Sequence, residues 1–131
     1  MPLPTNVESI AGAQELFDWF GYWPSFHDAE AKKLHVELGR GSSLVLHTWE
    51  MTNTVTEEGF YETRKRVGVE FVLEDITRIE LGDLWENSIL LSLGISKTGS
   101  GFILEFSAAY GLWGSIEAEV VSLRLTPGRP V

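Results

Sequence analysis

His27, Asp28 and Glu30 bring an imidazole and two carboxylates into a four-residue stretch. Paired carboxylates suit general acid–base work or the binding of a hard cation. On an extended strand residues two apart share a face, so Asp28 and Glu30 point one way, with Lys32 next in the row, and His27 points the other. That geometry keeps His27 and Asp28 from acting as a hydrogen-bonded dyad, and a triad needs a nucleophile that the sequence does not place beside His27. Three roles therefore stay open for the group. It forms a structural corner that satisfies free backbone groups, a contact for a partner, or the centre of a small hydrolase or ligand-binding enzyme. No phosphate loop, dinucleotide fingerprint or zinc-protease helix occurs elsewhere in the chain.

A second candidate comes from two further histidines. Leu34, Val36 and Leu38 alternate with polar residues, and so do Leu44 and Leu46 beyond Gly39-Arg40-Gly41-Ser42. Matching the apolar faces sets Leu38 opposite Leu44, Val36 opposite Leu46, and His35 opposite His47. Two facing imidazoles begin a metal site, but Zn²⁺ takes three or four ligands and no third is evident, so no metal and no cofactor are expected.

These residues need elements to hold them. Thr5-Asn6-Val7-Glu8 fits a capping box. Ile10, Ala13, Phe17 and Phe20 follow at helical spacing, which predicts a helix over about 7–20 packed by an aromatic stripe. Gly21 is placed to end it in the left-handed conformation, and Pro24 prevents it from resuming. Tyr22 to Glu30 is then a corner of fixed shape leading into strands. Beyond the first hairpin, residues 52 to 61 read as a polar connection ending in aromatics. Strands are predicted at about 67–73, 76–81, 89–95 and 102–108, with a turn over Lys97 to Gly101. In the last strand Ile116, Ala118 and Val120 share a face while Val121, Leu123 and Leu125 share the next, a phase slip that predicts a bulge at Val120-Val121. Pro127 and Pro130 close the chain. One helix and about seven strands joined by short turns predict an α+β domain over 1–131, a mostly antiparallel sheet with the N-terminal helix packed on it.

Composition narrows the function. A chain of 131 residues suffices to bury about two-thirds of its unfolded surface in one core. With no cysteine it has no disulfide framework, thiolate metal site or cysteine nucleophile. No apolar run approaches the roughly 20 residues of a membrane span, and Met1-Pro2-Leu3-Pro4 does not resemble a signal peptide, so a cytoplasmic protein is expected. The net charge is −9, from 10 basic and 19 acidic residues. Such a surface repels nucleic-acid phosphates and speeds encounter with a basic protein, although acidity also serves plain solubility.

The stretch Gly21-Tyr22-Trp23-Pro24-Ser25-Phe26-His27-Asp28-Ala29-Glu30 resembles the signature of a bacterial family of polymorphic-toxin immunity proteins, immunity protein family fifty. Trp49-Glu50-Met51-Thr52, Gly59-Phe60-Tyr61 and Tyr110-Gly111-Leu112-Trp113-Gly114-Ser115 are similar to further blocks of that family, in the same order. The likeness covers about residues 15 to 125. Ala31 stands where the family has a β-branched residue. The resemblance implies an α+β fold and neutralisation of a cognate toxin, and it carries over no catalytic residue. Trp23, Pro24, Phe26, His27, Asp28 and Glu30 are its structural signature.

The expected function is accordingly non-catalytic inhibition of a cognate toxin protein, probed first at two acidic segments. Glu57, Glu58, Phe60 and Tyr61 set aromatic anchors beside carboxylates in the long connection. Glu80, Asp83, Trp85 and Glu86 form a second acidic edge. Tyr110 and Trp113, between glycines, read as a tight aromatic turn first and a contact patch second.

Overall fold

The computed structural model describes residues 3–128. One helix, α1 (Ala13–Phe20), precedes six strands: β1 (Glu30–His35), β2 (Ser42–Val55), β3 (Tyr61–Gly82), β4 (Ser88–Lys97), β5 (Phe102–Tyr110) and β6 (Trp113–Pro127). All strand neighbours are antiparallel. The chain is thus α+β with a mostly antiparallel sheet, and its strands run β1-β2-β3-β6-β5-β4 around a closed barrel. Closure pairs the two end strands, but β1 meets β4 only at Glu30↔Ile89 and Ala31↔Ser88, so the seam is short. No helix among the described residues is long and apolar enough to cross a membrane. Pro130 lies outside the described residues.

The helix is shorter than the periodicity predicts. Ala11 forms a parallel bridge with Ser122, and Leu123 N–H donates to Ala11 O at 2.8 Å. That demand pulls Ala11 out of helical geometry and leaves Gly12 at φ 90°, so α1 starts at Ala13 with no side-chain cap. Thr5 and Glu8 belong to turns, held by Val7 N–H to Pro4 O and Ile10 N–H to Val7 O, and form no capping box for α1. Most of the apolar stripe still packs: Ile10, Ala13 and Phe20 are buried in the common core with Val7 and Leu16, whereas Phe17 is only half-buried and lies outside that core. Gly21 ends α1 at φ 84° as expected, its N–H donating to Phe17 O.

The strand count falls from seven to six because 67–73 and 76–81 are parts of β3. Asp75 takes φ 56° and the register with β6 shifts between Ile76 and Arg78, which bends the strand without ending it. The phase slip in β6 is present, with Ala118 and Val121 both buried, but the extra residue lies on β3 and β6 itself pairs continuously through Val120-Val121. Residues 52 to 55 are strand, not connection. Thr52, Thr54 and Val55 favour extended backbone, and β2 and β3 continue as a two-stranded ribbon to a turn closed by Gly59 N–H to Thr56 O.

The first hairpin also departs from the matched faces. A register shift at Lys32 and an early stop at His35 leave residues 36–41 as loop, closed by Ser42 Oγ, which accepts from Glu37 N–H and donates to Glu37 O. Leu34 therefore faces Leu44 and Ala31 faces Leu46, while Leu38 is 97% exposed. His35 lies opposite Ser43, and the residue opposite His47 is Glu30. The facing imidazole pair does not form.

The core runs through the barrel. Leu44 pairs with Phe71 and Leu46 with Val69, while Val69 and Phe71 meet Leu125 and Leu123 on the other side. Phe26, at φ 61°, reaches into this layer with its ring centroid 5.7 Å from that of Phe71. Its backbone conformation costs about 1–3 kcal/mol. Burying the ring returns a similar amount, about 1.5–3 kcal/mol, which fixes the corner in place.

Candidate functional site

The corner residues are held by barrel closure. Asp28 N–H donates to Leu90 O and Leu90 N–H donates to Ala29 O, so Tyr22 to Glu30 fastens onto β4. Asp28 has φ 67° and is not in a strand, which voids the alternation expected of it. His27 and Asp28 consequently lie near one another, Nε2 to Oδ1 3.7 Å, with both side chains about half exposed. His27 Nδ1 lies 3.0 Å from Leu91 O. Glu30 looks elsewhere: its Oε1 is 3.4 Å from Nδ1 of the buried His47, and its Oε2 is 3.7 Å from Lys32 Nζ. His27, Asp28 and Glu30 do not converge. Trp23 packs edge-on against Phe26, and Pro24 is buried, so the signature residues mainly build the corner. Among the described residues no three His, Asp or Glu side chains gather closely enough to hold a metal ion.

The base of the ribbon carries a pair of ion pairs on one carboxylate, Glu50. Arg64 donates to Glu50 Oε1 from Nη2 at 2.8 Å and from Nε at 3.3 Å, and Lys65 Nζ lies 3.4 Å from Oε2. The Arg64 hydrogen bonds hold the Glu50 carboxyl below its usual range, burial opposes them, and Lys65 adds to them. Burial, then the nearby Glu50 charge, pushes the Tyr22 phenol up.

The two acidic segments predicted to bind a partner sit at opposite ends of β3. Glu57, Glu58 and Phe60 occupy the ribbon tip, where Phe60 is 72% exposed. Tyr61 opens β3, and its side chain lies outside the described residues. The other segment follows Gly82, about 70 Å of strand contour away at roughly 3.3 Å per residue. The structure does not join them into one surface.

Around Glu80, Asp83, Trp85 and Glu86 it builds a cluster instead. The register Gly82↔Trp113 brings the β5–β6 connection beside the end of β3. Trp113 Nε1–H donates to Asp83 Oδ2 at 3.1 Å, and the Trp85 ring lies 5.2 Å from Tyr110. Ser88 Oγ donates to Trp85 O at 2.6 Å and accepts from Leu112 N–H at 2.9 Å, locking the two loops together. Glycine is required where they touch: at Gly111 (φ 85°) a Cβ meets Ser88 Oγ, and at Gly114 (φ 139°) it meets Glu80 O. Trp85, Tyr110 and Trp113 nonetheless remain 53%, 52% and 43% exposed, a large aromatic surface to leave in water. Glu80, Asp83 and Glu86 are exposed beside it.

Hollows flank Trp85 on both sides. One, of about 550 Å³, runs toward β1 between Leu34, Leu44 and Leu112. The other, of about 520 Å³, is lined by Phe106–Gly111, Trp113 and Asp83. It opens where β5 parts from β6 beyond the Phe106↔Gly114 pair. Sequence reasoning names Trp85 and the aromatic turn separately; their union depends on register, and the paired glycines at 111 and 114 are its one local signal. No protein-family model, curated protein or solved structure matches the chain.

Proposed function

We propose that this chain is a cytoplasmic immunity protein that binds and neutralises a cognate basic toxin, without catalysing a reaction, through the face formed by Trp85, Tyr110 and Trp113. The observation that carries the reading is three exposed aromatic rings gathered by two loops and rimmed by Glu80, Asp83 and Glu86. Exposed Trp and Tyr in a polar rim are the composition of interface hot spots, and the carboxylates suit a positively charged partner. The resemblance of residues 21–30 to toxin-immunity proteins supports the same reading. The rival hydrolase centred on His27, Asp28 and Glu30 gains nothing from a Glu30 that is turned toward His47 and Lys32.

The test is titration of the full chain against the toxin domain encoded beside its gene, with toxin activity and binding kinetics both read. Trp85→Ala is expected to weaken binding at least about 30-fold, mainly through faster dissociation, the loss of about 2 kcal/mol typical of a hot spot. Glu80→Lys with Glu86→Lys is expected to slow association and flatten its salt dependence. Glu57→Lys with Glu58→Lys, at the other end of β3, is expected to leave association unchanged. A toxin left fully active by excess protein overturns the reading; tip variants that lose binding while Trp85→Ala retains it move the surface to the ribbon.

A further inference from the structure

We propose that the free edge of β1, from Lys32 to His35, receives an extended segment of another protein as an added strand, and that this segment alternates apolar and acidic side chains. β1 and β4 close the barrel through only two residue pairs, Glu30↔Ile89 and Ala31↔Ser88. Beyond them β1 continues to His35 paired with β2 alone, while the chain before Ser88 leaves the sheet through Asn87 at φ 60°. At such an edge alternate residues turn N–H and C=O groups outward, so about two residues' worth of backbone groups face the gap unpaired.

The gap is open rather than filled. The hollow of about 550 Å³ lies there, floored by Leu34, Leu44 and Leu112, lipped by Leu84 and Trp85, and lined as well by Lys32, Lys33 and Glu86. That volume is within the range of sites that hold a ligand. An exposed edge beside an apolar pocket has the two elements of strand addition: backbone pairing for affinity and a pocket for alternate side chains.

Side-chain alternation sets what fits. Leu34 pairs with Leu44 toward the hollow, whereas Lys33 pairs with Val45 on the other face. An added strand follows the same alternation, setting apolar residues over the hollow and the intervening ones beside Lys33. Lys32 has Glu30 at 3.7 Å, but among the described residues Lys33 has no ion-pair partner. A carboxylate on the incoming strand supplies one. A second copy of this chain is the wrong occupant, since it would bring two Lys32-Lys33 edges together and supply no carboxylate partner from the edge segment Lys32–His35, across an edge already bent by the irregularity at Lys32.

The probe is an acetylated, amidated peptide Glu-Val-Glu-Leu-Glu-Val-Glu, added to the full chain at about 0.15 M salt, where the Debye length is about 8 Å. Amide NMR shifts and hydrogen exchange are read. Saturable binding is expected in the micromolar to millimolar range, with exchange slowed at amides among Lys32–His35. Two versions N-methylated on alternate residues separate backbone pairing from burial. One set of N–H groups faces β1, so one version is expected to lose at least about tenfold in affinity and the other to bind as the parent. Lys33→Glu, at an exposed position, is expected to weaken the parent peptide and to favour a version with lysines in place of glutamates. No saturable binding, equal binding of both N-methylated versions, or indifference to Lys33→Glu overturns the proposal. Decanoate shifting the same amides while the peptide does not assigns the hollow to a small amphipathic anion instead, and overturns it too.

Discussion

Glu30 and His47 face one another across β1 and β2, Oε1 to Nδ1 3.4 Å, and the imidazole is nearly sealed from solvent. On its other side His47 Nε2 lies 3.2 Å from Gly128 O, and its ring packs 5.6 Å from Trp49, over which Arg66 sits. The histidine thus links the first strand to the end of β6. His47→Ala empties a buried site and removes the ring that bridges Glu30 and Gly128 O, and is expected to cost about 2–3 kcal/mol. His47→Gln, which keeps a donor, should recover part of that. Urea unfolding midpoints check both; an alanine variant within about 0.5 kcal/mol of wild type, the range of ordinary surface changes, refutes the link.

Glu50 makes stability depend on pH. Its folded pKa is depressed, chiefly by the Arg64 hydrogen bonds, so the unfolded chain binds its proton more readily. The stabilisation is therefore fully present above the ordinary carboxylate pKa and is lost as pH falls through the lower folded value. Arg64→Gln is expected to lower stability at neutral pH, where this contribution is present, and to change little at acid pH, where it is already lost, so the acid-side slope flattens. Denaturant midpoints measured from neutral to acid pH give the comparison, and parallel curves for the two proteins count against it.

Asp28 is the corner residue whose side chain and backbone make opposite demands. Its carboxylate is about half exposed and, among the described residues, has only His27 for an ionic neighbour, yet its φ of 67° is strained for an L-residue. Asp28→Gly should stabilise the protein by about 0.5–1 kcal/mol, and Asp28→Ala should destabilise it modestly. Thermal melts of the pair settle the matter: glycine melting below alanine means that the carboxylate, not the backbone, is what the corner needs.

Local chemistry determined the parts of this protein that local chemistry controls. Gly21 stops α1, the Lys97 to Gly101 turn joins β4 to β5, and the alternation of Val67, Val69, Phe71 and Leu73 marks a buried strand, because each depends on a few neighbouring dihedrals or on a two-residue period. Tertiary contacts decided the rest. The bridge from Ala11 to Ser122 overrode a helical pattern that continues back to Val7, and the irregularity at Lys32 gave His47 to Glu30 in place of His35. Closure into a barrel followed from the corner bonding to Leu90, an atom-level match between residues some sixty positions apart that no periodicity encodes. The same holds for the candidate site: Trp85, Tyr110 and Trp113 are separated in the chain, and only the register of β3 with β6 and the glycines that let the loops touch make them one surface.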